Sequence, residues 1–176
     1  GRGLRTVSNR PEQESAPDWH PSGKYFLFSR ECPPAQSKPN AEGSETVICR
    51  ADGTEALILA LPVRSGQRAW SRDGKWIYLA RSLEDGFTAE LARIAFAEPA
   101  AEEPGRPPRD RGRDPRPAPA RVESPSIEPI ERLCSSLRRH YVDEPLPSPD
   151  EKSLAFSYVD EATQPFSEVR IIELAG

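Results

Sequence analysis

The chain repeats itself, and that repetition constrains its fold more than any other feature. Three segments share one pattern: Trp19-His20-Pro21-Ser22-Gly23-Lys24-Tyr25-Phe26-Leu27-Phe28-Ser29, Trp70-Ser71-Arg72-Asp73-Gly74-Lys75-Trp76-Ile77-Tyr78-Leu79-Ala80, and Pro147-Ser148-Pro149-Asp150-Glu151-Lys152-Ser153-Leu154-Ala155-Phe156-Ser157. Each places a polar turn before a lysine, then a run rich in aromatic and branched residues. A second block recurs downstream of each turn. Glu45 to Gly53 aligns without gaps on Glu168 to Gly176, and Glu90 to Glu98 fits between them. Two blocks recurring in one order are far less likely by chance than one.

The physical reading is a repeated antiparallel unit. In the turns, Pro21 and Pro149 preset φ, while Gly23 and Gly74 accept a positive φ without a Cβ clash. Glu151 stands at that glycine position in the third copy, where a positive φ strains the backbone, so this turn is the one expected to differ. A strand follows each turn. The second block is another strand, closed in the first unit by Ala51-Asp52-Gly53-Thr54, and Glu55 to Leu61 returns as a third. Such a meander buries its faces only if neighbouring units stack on it. Trp19 and Trp70 stand where a large ring would fill the seam.

The equivalent lysines are Lys24, Lys75 and Lys152, and the second spacing is much longer than the first. The excess lies in residues 98–125, where 28 residues hold 8 Pro, 6 Arg and 6 acidic residues with almost no large apolar side chain. That composition buries too little surface to offset ordering, so a disordered or extended insertion is expected. Residues 31–44, with Pro33-Pro34, read as a shorter surface loop. The units then run over 1–63, 64–143 (insertion included) and 144–176, the third incomplete. One stretch fits two readings: Ile127, Ile130, Leu133, Cys134 and Leu137 fall at helical spacing, yet the repeat demands the second unit's last strand within 127–139. Thr88 to Ala101 is alanine-rich, but there the repeat outweighs helical propensity.

Composition excludes several classes. No run approaches the ~18 apolar residues of a membrane-spanning helix, and no signal peptide is present. The net charge of -4 disfavours nucleic acid as a partner. The chain begins Gly1-Arg2-Gly3 and contains no methionine, so a processed chain or a fragment is expected.

The repeats resemble the WD-repeat-like propeller units of the TolB family, whose pattern reads Pro-x-Trp-Ser-Pro-Asp-Gly-Lys, a strand, then a strand ending in an Asp-Gly turn. Ala16-Pro17-Asp18-Trp19-His20-Pro21-Ser22-Gly23-Lys24 and Arg68-Ala69-Trp70-Ser71-Arg72-Asp73-Gly74-Lys75 match it. The third copy keeps Ser148-Pro149-Asp150 but has Pro147 in place of the tryptophan. The departures at His20, Ser22, Arg72 and Glu151 mark a divergent set. The resemblance implies an all-β fold of about three β-propeller blades. It also implies a periplasmic or otherwise extracytoplasmic protein, since the family's propeller binds a peptidoglycan-associated lipoprotein. Similar units occur in the propeller of prolyl oligopeptidase-type peptidases and in sensor domains of bacterial regulators. Propellers close with roughly 4–8 blades, so further blades or another chain are expected to cover the open faces.

No catalytic constellation emerges beside this. Gly-x-Ser-x-Gly is absent, as is a glycine-rich phosphate loop. His20 occupies a turn position usually held by serine and is expected to be exposed, and His140 follows Arg138-Arg139 without a ligand partner in sequence. Cys32, Cys49 and Cys134 show no metal-ligand spacing. If residues 25–30 and 45–50 are adjacent antiparallel strands, Cys32 and Cys49 lie ~13 Å apart along the sheet. A disulfide needs Cα atoms within ~7 Å, so free, buried cysteines are expected. The acids lack calcium-loop spacing. The Arg-Pro stretch 105–121 is interrupted by acids and reads as a solvated linker, with a proline-motif docking site as the second reading. No cofactor or metal is expected. The leading expectation is a non-catalytic module that recognises another protein through loops at one end of its blades. The alternatives are the propeller of a serine peptidase whose catalytic domain lies elsewhere, or a sensor domain of a regulator.

Overall fold

The computed structural model describes residues 6, 11–31, 44–61, 65–83, 88–99, 119–123, 125–133, 140–160 and 168–174. The loop expected at 31–44 lies almost wholly outside them, as do Cys32, Cys134 and most of the proline-rich stretch. The described residues form twelve β-strands and no helix. These are β1 (Glu14–Trp19), β2 (Tyr25–Glu31), β3 (Ser44–Arg50), β4 (Glu55–Leu61), β5 (Ser65–Trp70), β6 (Trp76–Ser82), β7 (Ala89–Ala95), β8 (Ala120–Val122), β9 (Ile127–Leu133), β10 (His140–Pro147), β11 (Ser153–Asp160) and β12 (Glu168–Glu173). They make three sheets, ordered β1-β2-β3-β4-β8, β5-β6-β7-β9 and β10-β11-β12. Every pairing is antiparallel except that of β4 with β8. The third sheet opens at His140, just before the point where the repeat begins its third unit.

The three turns share one hydrogen-bond frame. The amides of His20, Ser71 and Ser148 donate to the carbonyls of Tyr25, Trp76 and Ser153, at 3.0, 2.9 and 2.9 Å. Their carbonyls accept from the amides of Gly23, Gly74 and Glu151, at 2.8, 3.0 and 3.0 Å. The third turn does not differ: Glu151 takes φ 59°, beside 69° at Gly23 and 74° at Gly74. What offsets the strain is a contact invisible in one repeat: the Glu151 carboxylate accepts the Asp73 amide of the neighbouring turn at 2.8 Å.

Burial follows from stacking. β6 is apolar almost throughout because its two faces meet different sheets. Ile77 and Leu79 join Trp70, Ala92 and Ile94 against Tyr25, Leu27, Ile48 and Leu59 of the first sheet. Tyr78 and Ala80, with Leu91, meet Leu154, Phe156 and Tyr158 of the third. Phe26, Phe28, Val47 and Cys49 form a further buried cluster on the opposite face of the first sheet.

Two segment expectations resolve here. Ile127 to Leu133 is a strand, pairing antiparallel with β7 and placing Ile127 opposite Ile94. Tertiary pairing overrides the helical spacing, and Pro129 is tolerated because β9 ends its sheet, leaving one backbone edge unpaired; residues 134–139 lie outside the described set. The expectation of disorder across 98–125 fails at its end. Ala120–Val122 forms β8 and adds a parallel fifth strand to the first sheet, opposite Leu57, Ile58 and Leu59. Composition missed it because the order comes from a distant edge and from Arg121, whose guanidinium meets Glu45 at 2.5 Å.

Candidate functional site

The first strands of the three sheets, β1, β5 and β10, lie side by side and wall a cleft of about 460 Å³. A smaller cavity of about 250 Å³ adjoins it toward the turns, sharing Asp18, Ala69 and Leu146. All three walls are bulged, between Ser15 and Asp18, Ser65 and Arg68, and Asp143 and Leu146. Ala16 and Glu144 occupy equivalent positions and adopt positive φ, at 52° and 54°, each just before a proline. Non-glycine residues there carry strain of ~1–2 kcal/mol, and bulges of this kind re-aim side chains. The signal was present in the sequence, since Pro17 and Pro145 stand at matching places within strands, where proline marks an edge or a bulge.

The cleft walls are tied across the sheets. The Trp70 amide donates to Asp18 at 2.9 Å, and Gln67 donates to Glu144 at 3.3 Å. Within the third sheet Ser157 also donates to Glu144, at 3.0 Å, and between the second and first sheets the buried Arg68 donates to Ser29. Two large apolar side chains stay in solvent at this end, Trp19 at 58% exposure and Leu146 at 66%. Trp70 fills the seam as expected, edge-on to Phe96 at 4.7 Å between ring centres. Trp19 does not. Its ring leans on Phe26 of its own sheet, because the seam that Trp70 fills lies between the first and second sheets.

The turns are likewise linked in series. His20 is buried, not exposed: its ring packs edge-on against Trp70 at 4.7 Å. Its Nε2–H donates to the Gly74 carbonyl at 3.1 Å, and Nδ1 accepts from the Ser22 amide at 3.1 Å. The second turn reaches the third through Arg72, which donates to the Pro149 carbonyl at 3.0 Å. Within the second and third turns, Ser71 and Ser148 donate to Asp73 and Asp150, both at 2.7 Å. In the first, His20 and Ser22 hold these positions at the same 2.7 Å separation with the direction reversed, the Ser22 hydroxyl donating to His20 Nδ1. Burial raises the Asp73 carboxyl, but the amide and ammonium of Lys75 and the Ser71 hydroxyl outweigh it and hold the group below its usual range. The Ser148 hydroxyl and Lys152 amide do the same for Asp150.

A buried charge cluster went unread in the sequence. Arg30 pairs with Glu55 at 2.6 Å, Glu14 at 2.9 Å and Glu45 at 3.9 Å, and Arg81 pairs with Glu90 at 2.5 Å in the second sheet. Arg30 stands opposite Glu45 and Arg81 opposite Glu90, so the pair belongs to the repeat. The leading glutamates of the first two of these blocks, Glu45 and Glu90, were its signal. Cys49 is free and buried, its thiol pushed up to about 12 by burial and then by Glu55. The backbone of His140 opens β10. Among the described residues, no group of three or more His, Cys, Asp or Glu side chains is placed to hold a metal ion.

No model of a known protein family matches the chain, and no curated protein matches it in sequence. Solved structures do. The structure of a putative TolB from Agrobacterium tumefaciens superposes with a TM-score of 0.57 at 19% identity, over 95% of this chain and 47% of that one. TolB from Acinetobacter baumannii superposes at 0.45 and 16% identity, over 99% and 44%. This chain therefore spans about half the length of these structures. Three stacked, mainly antiparallel sheets, first strands around a common cleft and the Agrobacterium likeness together establish that the chain has the fold of an incomplete TolB-like β-propeller, each sheet a blade.

Proposed function

We propose that this chain is a non-catalytic protein-recognition module that receives a segment of another protein in the cleft between its inner strands and the adjoining turns. The observation that carries the reading is the pair of strained non-glycine bulges, Ala16 and Glu144, beside the exposed Trp19 and Leu146. Exposed aromatic and aliphatic anchors next to a rigid, hydrogen-bonded wall are what a protein hot spot requires. Both ring nitrogens of His20 are engaged inside a seam, which supports a packing role over a catalytic one. Val169 and Ile171, 78% and 73% exposed on the third blade, support a further blade or another chain on that face. The TolB-family resemblance adds an extracytoplasmic setting and an envelope protein as partner.

The test is affinity capture from an envelope extract with the immobilised chain, followed by cross-linking and mass spectrometry. A partner held by the parent and lost from a Trp19→Ala/Leu146→Asp variant supports the reading, because both side chains are exposed and the variant should keep its β-sheet circular dichroism. Equal retention by the two proteins refutes it.

A further inference from the structure

Among the described residues, the first blade carries a strand that the other two blades do not. Beyond its four antiparallel strands, Ala120–Val122 runs parallel to β4 at the outer edge, after the chain has already completed β7 of the second blade. The strand is short, all three of its residues are exposed, and it pairs with only three of the seven residues of β4. Parallel pairing is also the weaker ladder per residue. What holds this strand to one place is charge. Arg121 meets Glu45 at 2.5 Å, and the Glu45 side chain is only 7% exposed. Without Arg121, the cation left to Glu45 among the described residues is Arg30 at 3.9 Å, which already serves Glu14 and Glu55. A buried carboxylate with a distant partner is costly, so this edge demands an arginine.

We propose that the outer edge of β4 is a strand-addition site for an extended peptide carrying an arginine, and that Ala120–Val122 is its self-supplied occupant. Backbone pairing along Leu57, Ile58 and Leu59 supplies the ladder, and Glu45 reads the arginine side chain. The tethered segment competes at high effective concentration, so a partner strand gains the edge only when this occupant is released. The site is separate from the axial cleft and does not depend on the function proposed there.

The probe is a fluorescein-labelled peptide with the sequence of residues 117–125, titrated against the parent chain and an Arg121→Glu variant by fluorescence anisotropy. The substitution sets a carboxylate against Glu45 and removes the resident strand from competition. The peptide should bind the variant at least about tenfold more tightly than the parent. Adding Glu45→Gln to the variant should abolish that gain. Equal affinity for parent and variant, or binding to neither, overturns the proposal, as does a gain that survives Glu45→Gln. Loss of the β-sheet circular dichroism in Arg121→Glu overturns it too, since a displaceable strand cannot be essential to the fold.

Discussion

Gly23 and Gly74 occupy the same turn position with nearly the same φ, 69° and 74°, yet their surroundings are opposite. A Cβ at Gly23 meets nothing within 4 Å, whereas one at Gly74 falls 2.2 Å from Nε2 of His20. Gly23→Ala should therefore cost only the left-handed backbone strain, ~1–2 kcal/mol. Gly74→Ala carries the same strain and must also expel the His20 ring. Losing the hydrogen bond from His20 to the Gly74 carbonyl adds ~1 kcal/mol, and repacking the ring against Trp70 adds ~1–3 kcal/mol. The sum for Gly74→Ala is about 3–6 kcal/mol. In a His20→Ala background the obstruction is gone, so Gly74→Ala should fall back to ~1–2 kcal/mol and leave a coupling of ~2–4 kcal/mol. Urea unfolding of the four proteins, with unchanged m-values, reads each cost as a shift of the midpoint. Costs for Gly23→Ala and Gly74→Ala within ~0.5 kcal/mol of each other would refute the blade-to-blade clasp, and so would a coupling near zero.

Three further outcomes are expected. Trp70→Ala should destabilise by ~3–5 kcal/mol because its ring is 4% exposed in the seam, whereas Trp19→Ala at 58% exposure should stay within ~1 kcal/mol in the same unfolding assay. The Asp73 carboxyl is lowered in the folded protein, so its contribution is full above the ordinary value of 3.8 and is lost as pH falls through the folded value; Asp73→Asn should flatten the acid limb of a stability–pH curve and leave its slope above pH ~5 unchanged. Cys49, buried with its thiol pushed up to about 12, should resist alkylation at pH ~8 in the folded chain and react after urea unfolding, as peptide mass mapping would show.

Much of the fold was legible because turn chemistry and strand pattern are local. Pro21, Gly23 and Gly74 announce tight turns by their own backbone preferences, and the apolar run Trp76–Ala80 announces a strand buried on both faces. The repeat then carried β7 past a misleading helical signal, while β9 stayed open between helix and strand until its pairing with β7 decided it. Where the reading failed, a distant partner decided. His20 looked exposed because turns are usually wet, but the second blade closes over it through Trp70 and Gly74. Trp19 looked buried because its twin Trp70 is, but the ring of Trp70 is enclosed by residues of both adjoining blades. The bulges at Ala16 and Glu144 were written in Pro17 and Pro145. What those bulges aim at depends on three strands far apart in sequence meeting at one cleft.

The sequence by itself determined the unit: an antiparallel blade, its turn, its strand order and its repetition, all set by preferences within a few dozen residues. Tertiary structure alone decided how the units differ. It buried one histidine, let Glu151 take a left-handed backbone by lending it the Asp73 amide, and drew Ala120–Val122 back to the first blade through Arg121 and Glu45. The reason is physical: strain, burial and ion pairing depend on what lies across a gap, and a repeat cannot name its neighbour until the blades have stacked.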